Sequence, residues 1–282
     1  MRAVLKPGRL EELFSLLDRH PDALPMGGGT DLLVKLRRET GRDERPLLLL
    51  SHVAELQGIS DMGTEISIGA VTPLTRLIAD PLVARHAPLL VRASGTIGGP
   101  AVRNMATIGG NVRTASPAGD SLPPLYLLGA EVEVASRKGI RRVPVGEFVA
   151  GPGCTQLHTR EIITRILVPR AEGFPFQAFE KVGLRRSLAV AVVSFTGMVR
   201  MSSDGTVEAA RFAWGSVALT VARLPEVEAG LVGRRLDRDT IRAAADAVRR
   251  TVSPIDDIRA PADYRRSVAA NLLSRFLEGI HA

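Results

Sequence analysis

Three consecutive glycines, at positions 27 to 29, constrain this chain more than any other feature of its sequence. They lie in residues 25–32, called here the first loop, between a predicted strand and a predicted helix. Glycine reaches positive φ angles without strain, so successive N–H groups can turn toward one point. Such a concavity binds anions, above all diphosphates, and the helix start adds to the attraction. The alternative is a plain turn in which Thr30 or Asp31 caps the helix.

The residues around the first loop predict a small β-α-β-α-β unit. An apolar stripe of Leu10, Leu13, Phe14 and Leu17 indicates an amphipathic helix that ends before Pro21. The glycines are not part of a Walker motif or a Rossmann fingerprint, because the required spacings are absent. The predicted strands are residues 2–5, 23–26 and 47–50, and the predicted helices are residues 9–19 and 31–38.

The middle of the chain contains a long glycine-rich stretch, residues 95–111. It shows no periodicity and is too long for a simple connector, and loops of that kind are more often functional than idle. The elements predicted around it are strands at residues 65–69, 131–136, 139–145 and 161–168, a helix that opens at Thr72-Pro73, and helices at residues 82–93 and 121–128.

Residues 107–111, Thr-Ile-Gly-Gly-Asn, form a second candidate loop, called here the second loop. Thr107 and Asn111 could hydrogen-bond a ligand, and the amides of the two glycines could approach it closely. The alternative is an ordinary β-turn. A near-copy at residues 96–99 is interpreted as the glycine end of the preceding helix.

Asp120 and Lys181 are two isolated candidates. Asp120 ends the sequence Ser-Pro-Ala-Gly-Asp and could accept hydrogen bonds from ligand hydroxyls, or it could cap a helix that begins at Ser121. Lys181 ends a predicted strand and could reach back to a ligand held by the N-terminal part of the chain. Its alternative is a solvated strand end.

Proline, charge and glycine at residues 170–175 indicate a domain boundary. Beyond it, strands are predicted at residues 176–182, 188–200 and 207–214, followed by two amphipathic helices, the second with Asp263 as its N-cap. Strands followed by helices favour an α+β domain.

The composition narrows the chemistry. One cysteine, Cys154, can form no internal disulfide and cannot ligate an iron–sulfur cluster, which takes about four. The five histidines show no metal-ligand spacing, and no nucleophile–base arrangement stands out.

The formal charge of +7 is scattered in Arg-Arg pairs without interleaved aromatics, which argues against a nucleic-acid binder. No segment approaches the roughly 18 apolar residues of a membrane span, and the N-terminus lacks an apolar signal region, so a cytoplasmic protein is expected.

Taken together, the loops resemble those of the FAD-binding subunits of the molybdenum hydroxylases, such as the medium chains of xanthine dehydrogenase and carbon monoxide dehydrogenase. The resemblance rests on Gly-Gly-Gly-Thr-Asp-Leu from Gly27, Val-Arg-Asn-Met-Ala-Thr-Ile-Gly-Gly-Asn from Val102, and Ala-Ser-Pro-Ala-Gly-Asp from Ala115. It extends over essentially the whole chain, to Ile-Asp-Asp-Ile-Arg from Ile255 and Asp-Tyr-Arg-Arg from Asp263.

The resemblance implies an α+β fold with a two-part FAD-binding domain at residues 1–171. A small βαβ subdomain would cover residues 1–55 and a mixed-sheet subdomain residues 56–171, and a C-terminal α+β domain of antiparallel strands and helices would cover residues 172–282. The first and second loops would embrace the FAD diphosphate and close their main-chain amides around it. Asp120 would hold ribityl or ribose hydroxyls, and Ile163 would contact the adenine side. Lys181 and Ile97 would lie near the isoalloxazine ring. The implied cofactor-binding residues are Pro25, Met26, Gly27, Gly28, Gly29, Thr30, Asp31, Leu32, Ile97, Thr107, Ile108, Gly109, Gly110, Asn111, Asp120, Ile163 and Lys181.

The resemblance also implies partners. FAD would be bound without a covalent link and would accept electrons from an iron–sulfur subunit that carries [2Fe-2S] clusters. Molybdopterin would lie on a large catalytic subunit, and the final acceptor would be NAD+, oxygen or a quinone. A stand-alone FAD oxidoreductase of similar fold is the alternative, and a basic nucleic-acid or regulatory module is a third hypothesis. A stand-alone oxidoreductase would be reduced by organic substrates without partner subunits. A nucleic-acid module would bind polynucleotides with a steep dependence on salt.

Overall fold

A computed structural model describes residues 2–38, 43–170, 173–185 and 188–280. The N-terminal part is the predicted β-α-β-α-β unit, and its three strands form a parallel sheet in the order β1-β3-β2. Leu13 and Leu17 pack with Leu48 in its core. The last strand is one residue shorter than predicted, because Leu50 begins a short 3₁₀ turn. The elements are β1 (Val4–Leu5), α1 (Leu10–Arg19), β2 (Leu24–Met26), α2 (Leu32–Arg38) and β3 (Leu47–Leu49).

The middle part is a five-stranded sheet, order β4-β5-β10-β6-β7, with helices packed on it. Every pairing in this sheet is antiparallel, so the sheet itself is not mixed as predicted. The strands are β4 (Ile59–Asp61), β5 (Glu65–Gly69), β6 (Glu131–Ser136), β7 (Gly139–Pro144), the small pair β8 (Val149–Gly151) and β9 (Cys154–Thr155), and β10 (Ile162–Pro169). The helices are α3 (Leu74–Ala79), α4 (Pro81–His86), α5 (Pro88–Gly95), α6 (Pro100–Met105), α7 (Ile108–Thr114), α8 (Leu122–Leu127) and α9 (Val145–Phe148).

Two predictions for the middle part were wrong. The single helix expected over residues 82–93 is two helices, because Pro88 lacks an N–H and starts a new helix at its own position. The glycine-rich stretch expected to be a loop contains α6 and the start of α7, with Pro100 in the first turn of α6 and Thr107 capping α7. The helix before it does end at Gly95, so residues 96–99 follow a helix end as expected.

The C-terminal part is an antiparallel sheet in the order β11-β12-β13-β14, with three helices. Phe195, Phe212, Trp214 and Phe276 make an aromatic core between the sheet and α12. The elements are β11 (Phe176–Val182), β12 (Val193–Met201), β13 (Val207–Gly215), β14 (Ala222–Arg223), α10 (Pro225–Leu231), α11 (Arg238–Thr251) and α12 (Ala262–Glu278).

Three details of the C-terminal prediction change. β12 begins at Val193 rather than at residue 188, and α10 was not predicted. Asp263 lies in the first turn of α12, whose N-cap is Pro261. Residues 171 and 172, inside the predicted boundary segment, lie outside the described residues.

The C-terminal sheet packs on both of its faces. One face carries the aromatic core, and from the other Met198 and Ala213 join the hydrophobic core of the middle part. The two parts therefore share buried apolar surface. None of the helices in the described residues combines the length and apolar character needed to cross a bilayer.

Candidate functional site

A cleft of about 470 Å³ runs between the N-terminal unit and the middle part. All eight residues of the first loop line one wall, and Thr107, Gly109, Gly110 and Asn111 of the second loop line the opposite wall. Ile163 lies on its apolar side, with Ile162, Leu157 and Leu50. The structure thus brings together two loops that are about 80 residues apart in the chain, because the glycines of the first loop pack closely against Met105 and Thr107.

The first loop presents unpaired amides. Over the described ranges, none of the N–H groups of residues 27–31 donates a hydrogen bond to another protein group. Gly29 has a backbone φ of +71°, a conformation that residues other than glycine rarely adopt. A run of unpaired N–H groups costs free energy unless water or a ligand accepts from it, and it provides the donor set that an anionic group requires.

Gly27 and Gly28 are also required by packing against the middle part. A Cβ added to Gly28 would overlap the carbonyl oxygen of Met105, and one added to Gly27 would lie 2.8 Å from Thr107 Oγ1. The glycine triplet therefore sets the close approach of the two walls as well as the direction of the amides.

The second loop does not present its amides, so that part of the prediction was wrong. Ile108 N donates to the Thr72 carbonyl at 3.2 Å and Gly109 N donates to the Ala70 carbonyl at 2.9 Å. Gly110 N donates to Thr107 Oγ1 at 3.2 Å as part of the N-cap of α7, and Asn111 N donates to the Thr107 carbonyl. Thus the loop is the first turn of a helix rather than a β-turn.

The residues of the second loop divide between core and cleft. The Ile108 side chain is fully buried in the core of the middle part and does not line the cleft. Gly109 is buried, and a Cβ there would lie 2.7 Å from Ala70. Gly110 is exposed on the cleft wall, where a Cβ would meet only Thr107 Oγ1, at 2.9 Å. The wall formed by the second loop therefore offers a ligand side chains and a backbone that it can approach closely at the glycines, but no free main-chain N–H donors at residues 108–111.

Asp120 and Lys181 meet each other, away from the residues that line the cleft. Lys181 Nζ donates to Asp120 Oδ2 at 2.5 Å and to the Thr96 carbonyl at 3.0 Å. Their side chains are only 5% and 11% exposed, respectively, and the pair joins the middle part to β11. Burial raises the pKa of the Asp120 carboxyl above its ordinary value, and the Lys181 ammonium acts against that increase.

Asp120 does not cap α8, contrary to the alternative interpretation. The N-cap position is Ser121, which makes no capping hydrogen bond; its Oγ donates instead to Asn111 Oδ1 at 2.6 Å. Asp120 Oδ1 is buried and has no partner among the described residues. Ile97 packs half-buried against the middle core. A buried carboxylate oxygen requires a hydrogen-bond donor, which water or a bound ligand would have to supply.

Sequence reasoning missed three polar or charged residues that line the cleft, Lys35, Arg113 and Thr114. Thr114 Oγ1 donates to Asp31 Oδ2 at 3.2 Å and so connects the two walls. Lys35 and Asp31 are four residues apart, and Arg113 and Thr114 follow Gly110 by one helical turn, a spacing that could have identified them once the helices were recognised. Within the described part of the chain, no cluster of His, Cys, Asp or Glu could hold a metal ion.

Two family models match the chain. One, described as the FAD binding domain in molybdopterin dehydrogenase, matches residues 1–171. The other, described as the CO dehydrogenase flavoprotein C-terminal domain, matches residues 177–280. Together they cover the three parts of the fold.

Relatives match over nearly their whole length. The xanthine dehydrogenase FAD-binding subunit of Escherichia coli O157:H7 is 31% identical over 259 residues, which are 91% of this chain and 88% of the relative. The carbon monoxide dehydrogenase medium chain of Hydrogenophaga pseudoflava is 31% identical over 261 residues, 93% and 90% of the two chains.

Solved structures match as well. A chain of quinoline 2-oxidoreductase from Pseudomonas putida 86 superimposes with a TM-score of 0.93 and 29% identity, over 99% of this chain and 96% of the other. A chain of the Hydrogenophaga pseudoflava carbon monoxide dehydrogenase that lacks the Mo-pyranopterin moiety gives 0.91 and 32%, over 98% and 96%. Two matching family models, full-length relatives and a shared fold show that this chain belongs to the FAD-binding flavoprotein subunits of the molybdopterin dehydrogenases, which are oxidoreductases.

Proposed function

We propose that this chain is the electron-transfer subunit of a molybdenum hydroxylase-type dehydrogenase, taking electrons from an iron–sulfur subunit and passing them to NAD+, oxygen or a quinone. The observation that carries the proposal is the run of unpaired N–H groups at residues 27–31, facing a cleft between two subdomains. Electron transfer needs no acid or base from the protein, because the flavin supplies the redox chemistry and the chain supplies binding and orientation.

Residues on the two walls and on the apolar side of the cleft would hold the cofactor. The first loop donates its amides to the diphosphate, and Gly110 leaves room for it on the opposite wall. Ile163 and its apolar neighbours contact the adenine side. The other predicted residues of the two loops line the walls of the cleft, except Ile108, which packs in the core of the middle part.

Asp120, Lys181 and Ile97 are proposed to act at the other end of the cofactor. The unpaired Oδ1 of Asp120 accepts from a ribityl or ribose hydroxyl. Lys181, held by Asp120 and Thr96, places a positive charge beside the isoalloxazine ring. Ile97 contributes an aliphatic contact to the same ring. The buried ion pair between Asp120 and Lys181, which joins the middle part to β11, would thus hold both side chains in fixed positions toward the cofactor.

The partners are proposed from the relatives and from the composition. Relatives of this chain are named as subunits or medium chains of dehydrogenases. One cysteine is too few for an iron–sulfur cluster, so the [2Fe-2S] clusters and the molybdopterin belong to an iron–sulfur subunit and a large subunit. We also propose residues 1–171 as the FAD-binding domain, divided at residue 55, and residues 172–282 as the C-terminal domain.

Reconstitution of the full chain tests the proposal. The purified chain is mixed with FAD, passed over a desalting column and measured for flavin absorbance and for FAD per chain. Near-stoichiometric FAD is expected, with reduction by a reduced iron–sulfur partner and no reduction by organic substrates alone. Absence of bound FAD under all conditions sinks the proposal, and reduction by an organic substrate without partners favours the stand-alone oxidoreductase.

A further inference from the structure

Charge in the cleft comes from three side chains among the described residues, Asp31, Lys35 and Arg113. Asp31 lies inside the run of unpaired amides, where its negative charge opposes an anionic ligand. Its Oδ2 atom is 2.7 Å from Lys35 Nζ and accepts from Thr114 Oγ1 at 3.2 Å. The ammonium therefore compensates the carboxylate, and this pair adds no net charge to the cleft.

Arg113 is the cleft cation that has no counter-charge among the described residues. It is exposed, and it makes no hydrogen bond or ion pair with any residue that the structure describes. It follows Gly109 and Gly110 by four and three residues in α7, so its side chain shares their face of the helix, the face that lines the cleft. An exposed arginine is often only solvated, but this one faces a second, independent feature, the unpaired amides of the first loop.

We propose that Arg113 is a cofactor-binding residue of this chain, and that its guanidinium supplies the full positive charge that the diphosphate of a dinucleotide requires. The inference rests on the proposed function. The amides of residues 27–31 carry only partial positive charges, and Lys35 is already engaged by Asp31. A planar guanidinium donates two parallel hydrogen bonds to phosphate oxygens, a geometry that an ammonium cannot reproduce.

Salt distinguishes this role from a merely structural one. Arg113 is exposed, so its attraction for a diphosphate is screened as ionic strength rises, whereas packing contacts and amide hydrogen bonds are affected much less. Loss of Arg113 should therefore weaken FAD binding strongly at low salt and weakly at high salt.

The test uses the full chain and FAD itself. Dissociation constants are measured by flavin fluorescence at about 50 mM and about 500 mM KCl, because the Debye length shortens several-fold over that range. The variants are Arg113→Gln, Arg113→Lys and a matched control, Arg242→Gln. Arg242 is an exposed arginine of α11 in the C-terminal part, with no partner among the described residues.

Arg113→Gln is expected to raise the dissociation constant about 5–10-fold at low salt and about twofold at high salt, since one charged hydrogen-bond donor is lost. Arg113→Lys recovers part of the loss, and Arg242→Gln changes nothing at either salt. The inference is overturned if Arg113→Gln binds like the wild type, or if its loss is the same at both salts. Failure of the wild-type chain to bind FAD would instead overturn the proposed function and the role of Arg113 with it.

Discussion

Gly28 and Gly110 lie on opposite walls of the cleft, and a side chain at each would meet different surroundings. At Gly28 it would overlap the Met105 backbone, so the contact between the subdomains themselves would have to open. At Gly110 it would meet only the Thr107 hydroxyl and would extend into the cleft. Gly28 is thus required by the packing of the subdomains, whereas we propose that Gly110 is required by the ligand.

Gly110→Val is expected to abolish FAD binding and leave the fold largely intact. The position is helical and exposed, and valine is no worse a helix former than glycine there. Its Cβ would meet only Thr107 Oγ1, at 2.9 Å, and its isopropyl group would fill the space proposed for the diphosphate. Flavin absorbance after desalting measures the loss, and far-UV circular dichroism measures the fold. Gly230→Val is the matched control, because Gly230 is also exposed in a helix and has nothing within 4 Å of its Cβ position. Full FAD occupancy in Gly110→Val would contradict the placement of the second loop.

At the level of secondary-structure elements, two charge clusters, one buried and one partly buried, connect segments that are distant in the chain. Asp120 and Lys181 join the end of a loop to β11. Asp257 accepts hydrogen bonds from Arg259 and Arg265, and the buried Arg265 also donates to the carbonyls of Val192 and Ser216. Each cluster replaces water that the charges lost on folding, so removing one partner leaves a costly charge behind.

Lys181→Met is expected to destabilise the apo chain by about 3–5 kcal/mol, because it leaves the Asp120 carboxylate buried without its counter-charge. The raised pKa of Asp120 fixes the sign of the pH dependence: the variant regains stability as the pH falls and the carboxyl takes up a proton. Urea unfolding at several pH values measures both effects.

Two further variants complete this measurement. Adding Asp120→Asn to Lys181→Met should restore part of the loss, since the unpaired charge disappears. Arg249→Met serves as the control, because its pair with Asp246 is 41–46% exposed and contributes below about 1 kcal/mol. Additive effects of the Asp120 and Lys181 substitutions would show that the two side chains do not interact.

Asp257→Asn is expected to lose stability at neutral pH and to approach the wild type as the pH falls. Hydrogen bonds from Arg259, and the nearby charge of Arg265, hold the pKa of Asp257 well below its ordinary value. A lowered pKa contributes stability above the unfolded value, near about 4, and this contribution is lost as the pH falls toward the folded value. Unfolding free energies of both proteins between neutral pH and about pH 2 should therefore converge. A difference that is independent of pH would point to packing instead of charge.

At the level of the whole molecule, the cleft lies between the N-terminal unit and the middle part, and Val71 and Ile162 of the middle part also pack into the core of the N-terminal unit. The N-terminal core is built around Leu13 and Leu48, and Met198 of β12 packs into the core of the middle part. A ligand in the cleft would therefore add contacts between the N-terminal unit and the middle part to the apolar contacts that already join them.

FAD at about 100 times its dissociation constant is expected to stabilise the chain by about 2.7 kcal/mol, which corresponds to a rise of about 5–10 °C in melting temperature. Differential scanning fluorimetry with and without FAD measures the shift, and Gly110→Val should show none. Binding without any rise in melting temperature would mean that FAD does not favour the folded state at this cleft.

Much of the fold and part of the site could be predicted from sequence alone. Hydrophobic periodicity and the turn residues, which act over a few neighbours, predicted α1, β11 and most of the strands of the middle part. The glycines of both loops identified two segments that line the cleft, because glycine patterns reflect local backbone requirements. The second segment proved to be the first turn of a helix instead of a loop. Pro88 was the local signal that was overlooked.

Tertiary structure decided which groups remain available to a ligand. The amides of Gly109 and Ile108 are engaged by carbonyls of Ala70 and Thr72, about 40 residues earlier, while those of residues 27–31 remain unpaired. Asp120 meets Lys181 rather than its own helix only because β11 packs against the middle part. Local patterns determine where N–H groups and charges occur, but whether a partner reaches them depends on chain segments far away in sequence, and that is settled only when the subdomains pack together.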